Sequence, residues 1–141
     1  MRHIQAMFPL HLSKVAVGCA SLETLKRRQS LRITDGEMPL VTRFMPKRAE
    51  ELVGGSLYWI IKHQLVARQR IVGFAPRESD RRTIIRLSVD LVPVRPAPKR
   101  AHQGWRYLDG ADAPGDLDSD ETGLALLPPA LAARLATLKL I

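Results

Sequence analysis

Hydrophobic and polar residues alternate most regularly in the middle of the chain. Between Thr83 and Val92 every second position is apolar, a period of two that indicates a strand with one buried and one hydrated face. The aromatic and β-branched run Ser56–Ile61 and the stretch Leu65–Phe74 predict two further strands. Short connections at 62–64 and 76–82 join the three, so the pattern predicts an antiparallel meander.

The residues before this meander predict a strand, a helix, and then a shorter strand and helix. His11–Val17 has a partial period of two and predicts the first strand. Ser21 is suited to cap a helix over residues 22–31, which has glutamate in its first turn and arginines towards its end. The side chains expected to face inward from this helix are Leu22, Leu25 and Leu31.

Turn residues and prolines divide the following segment. Asp35–Pro39 is predicted to be a loop, and Val41–Phe44 a short strand. Pro46–Leu52 predicts a short helix, because proline is favoured at the first helical position, and Gly54-Gly55 ends it.

The C-terminal third begins with prolines at 93, 96 and 98, which are expected to prevent regular pairing and to give an extended, polyproline-like passage. Gly104–Leu108 predicts a last short strand. Residues 109–123 are acidic and glycine-rich and predict a flexible loop, and leucines at helical spacing predict a helix over 128–139.

Together these elements predict one α+β domain over residues 7–141, mainly antiparallel, with residues 1–6 as an N-terminal extension. No apolar run approaches the roughly 20 residues needed to cross a bilayer, and the N-terminus lacks the apolar core of a signal peptide. We therefore expect a cytoplasmic protein without membrane contact. Cys19 is the only cysteine, so no disulfide forms within the chain, and a small buried hydrophobic residue is the simplest interpretation of it.

Charge is distributed unevenly along the chain. Residues 1–106 contain 20 lysines and arginines against 8 carboxylates, a net of +12, whereas residues 107–141 contain 2 against 6, a net of −4. A basic body followed by an acidic segment suggests an anionic partner for the body. Solubility from a hydrated basic surface is the alternative explanation.

Three constellations of cations could bind an anion, and the first surrounds Pro46. Backbone N–H groups at a helix N-terminus attract anions, and Arg43, Lys47 and Arg48 would strengthen that attraction. The alternative is a hydrated helix in which Lys47 pairs with Glu51 one turn away.

The second constellation is Arg68 with Arg70. Strand residues two apart project from the same face, and two guanidinium groups there repel each other unless an anion lies between them. That anion could be a bound phosphate or an internal carboxylate, for which the candidates are Glu50, Glu51 and Asp90.

The third constellation interleaves cations with aromatic rings near the last predicted strand. Phosphates would contact the cations while a base stacks on an aromatic ring, a contact of about 1–3 kcal/mol. Alternatively, the two rings anchor the C-terminal segment on the core. Its members are Lys99, Arg100, His102, Trp105, Arg106 and Tyr107.

Neighbouring aromatic residues of the first meander strand add to these candidates. Tyr58 and Trp59 point to opposite faces, so we expect one to be buried and the other to line a pocket. Lys62, in the connection that follows, is included among the anion-binding candidates. The histidines are not spaced as metal ligands, and the chain has no P-loop, GxGxxG or GxSxG motif, so neither a metal, nor a cofactor, nor a catalytic residue is predicted.

Four segments together resemble a bacterial domain-of-unknown-function family numbered 1489. They read HLSKVAVGCAS, TRFMPKRAEELVGGSLYWIIKHQLVARQRI, PAPKRAHQGWRYLDGADAPGDL and LPPALAARLATLKL, and the resemblance runs from about Met7 to the C-terminus. It implies no activity. The chain departs from the expected pattern at His63-Gln64, where a glycine would suit a tight hairpin turn.

A second resemblance concerns strand order only. A basic helix, the strand GGSLYWII, a strand ending RIVGF and a further strand are similar to the PUA-like barrels, which include PUA, ASCH and EVE domains. This resemblance implies a small β-barrel with peripheral helices that binds RNA or captures a nucleobase.

The sequence therefore predicts a non-enzymatic nucleic-acid-binding module, with RNA as the favoured ligand, that uses a basic face and aromatic stacking. One alternative is a small enzyme acting on a nucleotide-like or phosphorylated substrate in a barrel pocket. In that case Arg68, Arg70 and Lys47 would fix the anion, and Glu50 or His63 would move a proton. Another alternative is an adaptor for an acidic protein.

Overall fold

The computed structural model describes residues 10–117. Seven strands, two α-helices and one 3-10 turn follow each other in this part of the chain. In order they are β1 (Leu10–Val15), α1 (Leu22–Ser30), β2 (Glu37–Thr42), α2 (Ala49–Leu52), β3 (Ser56–Ile61), β4 (Gln64–Arg77), β5 (Arg82–Ser88), β6 (Val92–Pro98), β7 (Trp105–Asp109) and the 3-10 turn Gly110–Asp112. The N-terminal extension, residues 118–123 of the acidic segment and the predicted helix 128–139 lie outside the described residues.

The strands form one mixed sheet in the order β2-β5-β4-β3-β1-β7, with β6 paired to β4. The β1–β3 pair is parallel and the other pairs are antiparallel. The long strand β4 pairs with β6 through its first half and with β5 through its second half. The α+β class is confirmed. The predicted barrel is not, because within residues 10–117 the end strands β2 and β7 do not pair and the sheet stays open.

Strand β3 lies at the centre of the core and is buried along its whole length, as expected of an aromatic and β-branched run. Its side chains alternate between two hydrophobic clusters. Leu57, Trp59 and Ile61 belong to the larger cluster, whereas Tyr58 and Ile60 belong to the smaller one. The sheet is therefore covered on both sides at this strand.

Helix α1 begins as the sequence predicts. The Ser21 hydroxyl accepts the backbone N–H of Thr24 at 3.1 Å, and Leu25 is buried against the larger cluster. The inward placement predicted for Leu31 is wrong: it is 86% exposed, because the helix ends at Ser30 and Leu31 is the C-cap residue.

A pair of buried glutamines joins α1 to the sheet. Gln29 Nε2 donates to Gln69 Oε1 at 2.8 Å, and Gln69 Nε2 donates back to Gln29 Oε1 at 2.7 Å. Gln69 also accepts the indole N–H of Trp59 at 2.7 Å and donates to the carbonyl of Ser88 at 2.9 Å. Every polar atom of the Gln69 amide is thus satisfied in a fully buried site, which fixes the helix relative to three strands.

The β3–β4 connection is a two-residue turn in which Lys62 and His63 have φ angles of 51° and 62°. Both residues therefore lie in the left-handed region, as in the mirror-image turns that match the twist of a hairpin. The tight turn forms without the glycine that the family pattern led us to expect.

Two boundary predictions were wrong because they took proline as a barrier to pairing. The predicted loop at 35–39 is confined to its first residues, since β2 begins at Glu37 and includes Pro39. The passage predicted to be unpaired is strand β6, which pairs with β4. The carbonyl of Pro93 accepts the N–H of Leu117, so the proline nitrogen faces away from β4 and costs that ladder no hydrogen bond.

Within the part of the chain that the structure describes, no helix is long and apolar enough to cross a membrane.

The glutamine pair gives the first testable prediction. We expect Gln69→Leu to lower the free energy of unfolding by about 2–4 kcal/mol, because it leaves the Gln29 amide and the Trp59 N–H buried without partners. Urea denaturation followed by circular dichroism measures this loss. The exposed Gln64→Leu on the same strand is the matched control and should change stability by less than about 0.5 kcal/mol.

The double variant Gln29→Leu/Gln69→Leu removes both amides together. Its loss should be smaller than the sum of the two single losses by about 1 kcal/mol or more. Additive losses would show that the two side chains do not depend on each other.

Candidate nucleic-acid interface

Strand β7 places an aromatic pair at one edge of the described sheet. It runs antiparallel to β1, with Trp105 opposite Lys14 and Arg106 opposite Ser13. Because side chains alternate along a strand, Trp105 and Tyr107 project from one face and Arg106 from the other. Their rings contact edge to face, with centroids 5.2 Å apart and planes at 67°.

This aromatic pair brings the first and third predicted constellations together. The Arg48 guanidinium lies 5.7 Å from the centre of the Tyr107 ring, and the Arg48 backbone N–H donates to the Tyr107 hydroxyl at 3.1 Å. Trp105 is half-buried against the larger cluster, and Tyr107 is 36% exposed. Each ring therefore anchors the edge strand, as the alternative explanation held, and still leaves part of its surface accessible.

Cations that form no ion pair among residues 10–117 lie behind this edge, around His102. The His102 ring lies 2.9 Å from the Ser13 hydroxyl. Burial lowers the pKa of His102, and the positive charges of Arg106, Lys99 and Lys14 lower it further, although a backbone hydrogen bond opposes them. The ring is therefore neutral at pH 7, and three cations lie close enough to act on it.

The β3–β4 turn extends the same basic region. The Lys99 backbone N–H donates to the carbonyl of His63 at 2.9 Å, which brings the exposed Lys62 alongside. Arg100 is exposed in the loop that follows. We call the set Lys14, Lys62, Lys99, Arg100, Trp105, Arg106 and Tyr107 the basic edge.

The second constellation lies on β4, which β3 and β1 separate from β7. Arg68 and Arg70 share one sheet face, as predicted, opposite Tyr58 and Ser56 on β3. They line an open depression of about 730 Å³ with Asp90 and the residues around Gly54.

None of the predicted internal partners neutralises Arg68. Its guanidinium instead forms a two-pronged ion pair with Asp116, with both N···O distances at 2.7 Å, and donates to the Ser56 hydroxyl at 3.1 Å. This arrangement raises the pKa of Arg68 and lowers that of Asp116. Arg70 is exposed and forms no ion pair among residues 10–117.

Asp116 belongs to the segment predicted to be a flexible acidic loop. In the described part of that segment, residues 110–112 form the 3-10 turn, and Asp116 forms a β-bridge with Val94. Arg95 N–H donates to the carbonyl of Gly115, and Leu117 N–H to that of Pro93. We call residues 113–117 the acidic strap, because this segment pairs along β6 and carries Asp116 to Arg68.

Tyr58 and Trp59 do not offer their rings to a polynucleotide. Both are buried, with 5% and 4% exposure. Tyr58 contacts His11 edge to face at 5.1 Å, and burial raises its pKa. Trp59 lines a cavity, as predicted for one of these two residues, but its side chain is almost completely buried.

The helix N-terminus predicted at Pro46, beside Arg43, Lys47 and Arg48, does not form. The predicted helix start at Pro46 was wrong, because α2 begins at Ala49 and has only four residues. Arg48 pairs through its guanidinium with Glu51 at 2.6 and 2.7 Å, whereas Arg43 and Lys47 are exposed. The partner predicted for Glu51 was Lys47, and the structure gives it Arg48.

Of the residues named for an enzyme, His63 lies far from Arg70. It directly precedes β4, and Arg70 is seven residues further on, a separation of about 23 Å at the rise of an extended strand. Among residues 10–117, no group of three or more His, Cys, Asp or Glu side chains could hold a metal ion.

Sequence reasoning missed Lys14 and Asp116. Lys14 lies in a strand predicted correctly, and its position opposite a tryptophan follows from pairing between β1 and β7, which no local pattern reveals. Asp116 was counted only as part of an acidic segment, and its partner Arg68 lies 48 residues away.

Comparison with known proteins gives a family without an assigned activity. No curated protein and no solved structure matches the chain. The model of a family described as "Protein of unknown function (DUF1489)" matches residues 12–141, nearly the whole sequence. The chain therefore belongs to the DUF1489 family.

Proposed function

We propose that this protein is a nucleic-acid-binding module, with RNA as the favoured ligand, and that the basic edge is its binding surface. The observation that carries the proposal is the partly exposed Trp105–Tyr107 pair on an edge strand, flanked by cations that form no ion pair in the part of the chain that the structure describes. A relation to PUA-like domains, several of which bind RNA, belongs to the same proposal and rests only on the strand pattern.

Aromatic rings and free cations make complementary contributions at such a surface. An unpaired base stacks on any accessible ring face, because every base has a π surface. Phosphates contact ammonium and guanidinium groups and release counter-ions as they do so. Within the described chain, Lys99, Arg100 and Arg106 form no ion pair, so no internal carboxylate has to be displaced before a phosphate binds.

The opposite end of β4 provides a contrast. Arg77 and Arg82 both lie near Asp80, at 3.7 and 3.5 Å, and Arg86 forms a two-pronged ion pair with Glu37. Cations there are largely balanced within the protein. This end of the sheet therefore adds little excess positive charge, whereas the basic edge adds several cations that form no ion pair among residues 10–117.

The enzyme alternative receives less support. It needs an acid or base beside Arg68 and Arg70 in an enclosed pocket, but their depression is open and Asp116 already occupies the guanidinium of Arg68. Asp90 is the acidic residue lining that depression. No observation favours a reaction there over simple anion binding.

The salt dependence of RNA binding tests whether cations of the basic edge contact phosphates. Fluorescence anisotropy with a mixed-sequence single-stranded RNA should show affinity falling steeply as salt rises. We expect Arg106→Ala to reduce the slope of log affinity against log salt by about 0.7, the value of one phosphate contact to a single strand. Arg81→Ala, in the distant β4–β5 turn, is the matched control and should leave the slope unchanged. Equal effects of the two variants, or no binding at low salt, would overturn the proposal.

Aromatic stacking gives a separate prediction. Trp105→Ala should lower RNA affinity by about 5- to 100-fold, equivalent to about 1–3 kcal/mol, while leaving the salt slope unchanged. Trp105→Phe keeps a ring of similar placement and should retain most of the affinity. Circular dichroism and urea denaturation establish that each variant is folded, because Trp105 also packs on the core. Equal affinity of folded Trp105→Ala and the unaltered protein would exclude stacking.

The acidic strap predicts partial masking of the cationic surface. Asp116→Asn frees the Arg68 guanidinium and should tighten RNA binding by up to about tenfold, or roughly 1.4 kcal/mol. Its effect on folding should be small, because a partly exposed ion pair contributes about 0–1 kcal/mol.

Asp112→Asn is the matched control for the strap. It removes the same charge from the same acidic segment, at a residue that forms no ion pair in residues 10–117. Equal tightening in both variants would indicate a general charge effect, and no tightening in either would exclude masking.

A further inference from the structure

A cavity of about 390 Å³ lies between α1, β2 and the end of β1. Apolar side chains make up much of its wall, and three cations stand among its polar lining residues. The apolar members that matter here are Leu25, Met38, Leu40 and Trp59, and the cations are Lys14, Arg28 and Arg32. Among residues 10–117, no aspartate or glutamate lines the cavity.

Strand register positions Lys14, and a hydrogen bond to the backbone positions Arg28. Strand register places Lys14 beside Trp59, and burial lowers the pKa of its ammonium group. Arg28 Nη1 donates to the carbonyl of Val17 at 3.1 Å. The guanidinium lies against Gly18, where a Cβ would come within 2.9 Å of Nη1, so the glycine provides the room that Arg28 needs.

The amide of Gln29 and the indole N–H of Trp59, which belong to the cavity wall, already form hydrogen bonds within the protein. Gln29 exchanges hydrogen bonds with Gln69, and the Trp59 indole N–H donates to Gln69. Trp59 therefore presents its ring, and not its N–H, to the cavity. The side-chain donors left for a ligand are chiefly the cations, so the complementary ligand has an anionic group and an apolar body.

We propose that this cavity binds a small organic anion whose carboxylate or phosphate group contacts Lys14, Arg28 and Arg32 while its apolar body packs on Trp59 and Leu25. The volume lies near the lower end of the range of about 300–1,000 Å³ for small-molecule sites. It suits a ligand the size of a substituted benzene ring and cannot accept a polynucleotide chain. The proposal does not depend on RNA binding: it shares Lys14 with the basic edge, but its other contacts, Leu25, Arg28, Arg32 and Trp59, lie outside that set.

The chain provides its own reporter for this site. It has two tryptophans, so Trp105→Phe leaves Trp59 as the single tryptophan. Emission of this variant should change saturably on titration with benzoate or phenyl phosphate. Benzyl alcohol, the neutral counterpart of similar size, should bind at least tenfold more weakly. The two anions distinguish the sources, since stronger binding of phenyl phosphate assigns a phosphate ligand and stronger binding of benzoate a carboxylate.

Substitution of the cations completes the test. In the Trp105→Phe background, Lys14→Gln or Arg32→Gln should weaken binding of the preferred anion at least fivefold. Lys26→Gln, on α1 but not lining the cavity, should leave it unchanged within twofold. Arg32 is exposed, so its replacement tests the charge even if Lys14→Gln impairs folding.

A second readout uses Cys19, the only cysteine and a lining residue of the cavity. Its alkylation by iodoacetamide, followed by mass spectrometry, should slow when the preferred anion is bound. Equal binding of benzyl alcohol and the anions, equal affinity of the Lys26→Gln and Arg32→Gln variants, or no saturable signal up to about 10 mM ligand would overturn the proposal.

Discussion

The buried contact between Gln29 and Gln69 is the constraint on which the rest of this structure depends. An amide in an apolar core is costly unless all its donors and acceptors are satisfied, and Gln69 satisfies its own with bonds to Gln29, Trp59 and Ser88. Hydrophobic packing alone would let α1 slide over the sheet at little cost. The paired amides give the helix one favourable position, and that position sets the width of the cavity between α1 and β2 and the orientation of the Trp59 ring.

The charged side chains, like the buried amides, differ in whether the fold gives them partners. At the β4–β5 end, Arg77, Arg82 and Arg86 have carboxylate partners in the adjoining turn or on β2, so they contribute little field at a distance. The acidic strap supplies a partner to Arg68 from a segment that follows the basic edge in the chain. Lys99, Arg100 and Arg106 have no such partner in the described chain. Position relative to acidic residues, more than the net charge of +8, therefore distinguishes the basic edge from the β4–β5 end of the sheet.

Local patterns predicted those elements whose reasons are local. The run Ser56–Ile61 is a strand with the expected boundaries, because its composition suits a strand buried on both faces. Ser21 caps α1 because its hydroxyl needs only a backbone N–H three residues on. The shared face of Arg68 and Arg70 likewise follows from the period of a strand. The remaining features depend on contacts between residues that are distant in sequence, and no local pattern reveals such contacts.

Strand β6 and Asp116 show how these non-local partners changed the interpretation. Proline rules predict that residues 92–98 stay unpaired, but they assume that each missing N–H is needed, and at Pro93 the nitrogen faces the acidic strap and not β4. The sequence offers several carboxylates as partners for Arg68 and gives no basis for preferring one. Asp116 is the partner because the acidic strap pairs with β6.

Lys14 connects the two proposed sites. Its register places it beside Trp59 on β3, in the wall of the cavity, and opposite Trp105 on β7, in the basic edge. An anion held in the cavity would neutralise this ammonium group and weaken the attraction of the basic edge for phosphates. Because linkage between binding free energies is reciprocal, RNA at the edge would weaken the small anion by the same factor. If both proposals hold, one lysine between two tryptophans makes the sites antagonistic without any change of fold.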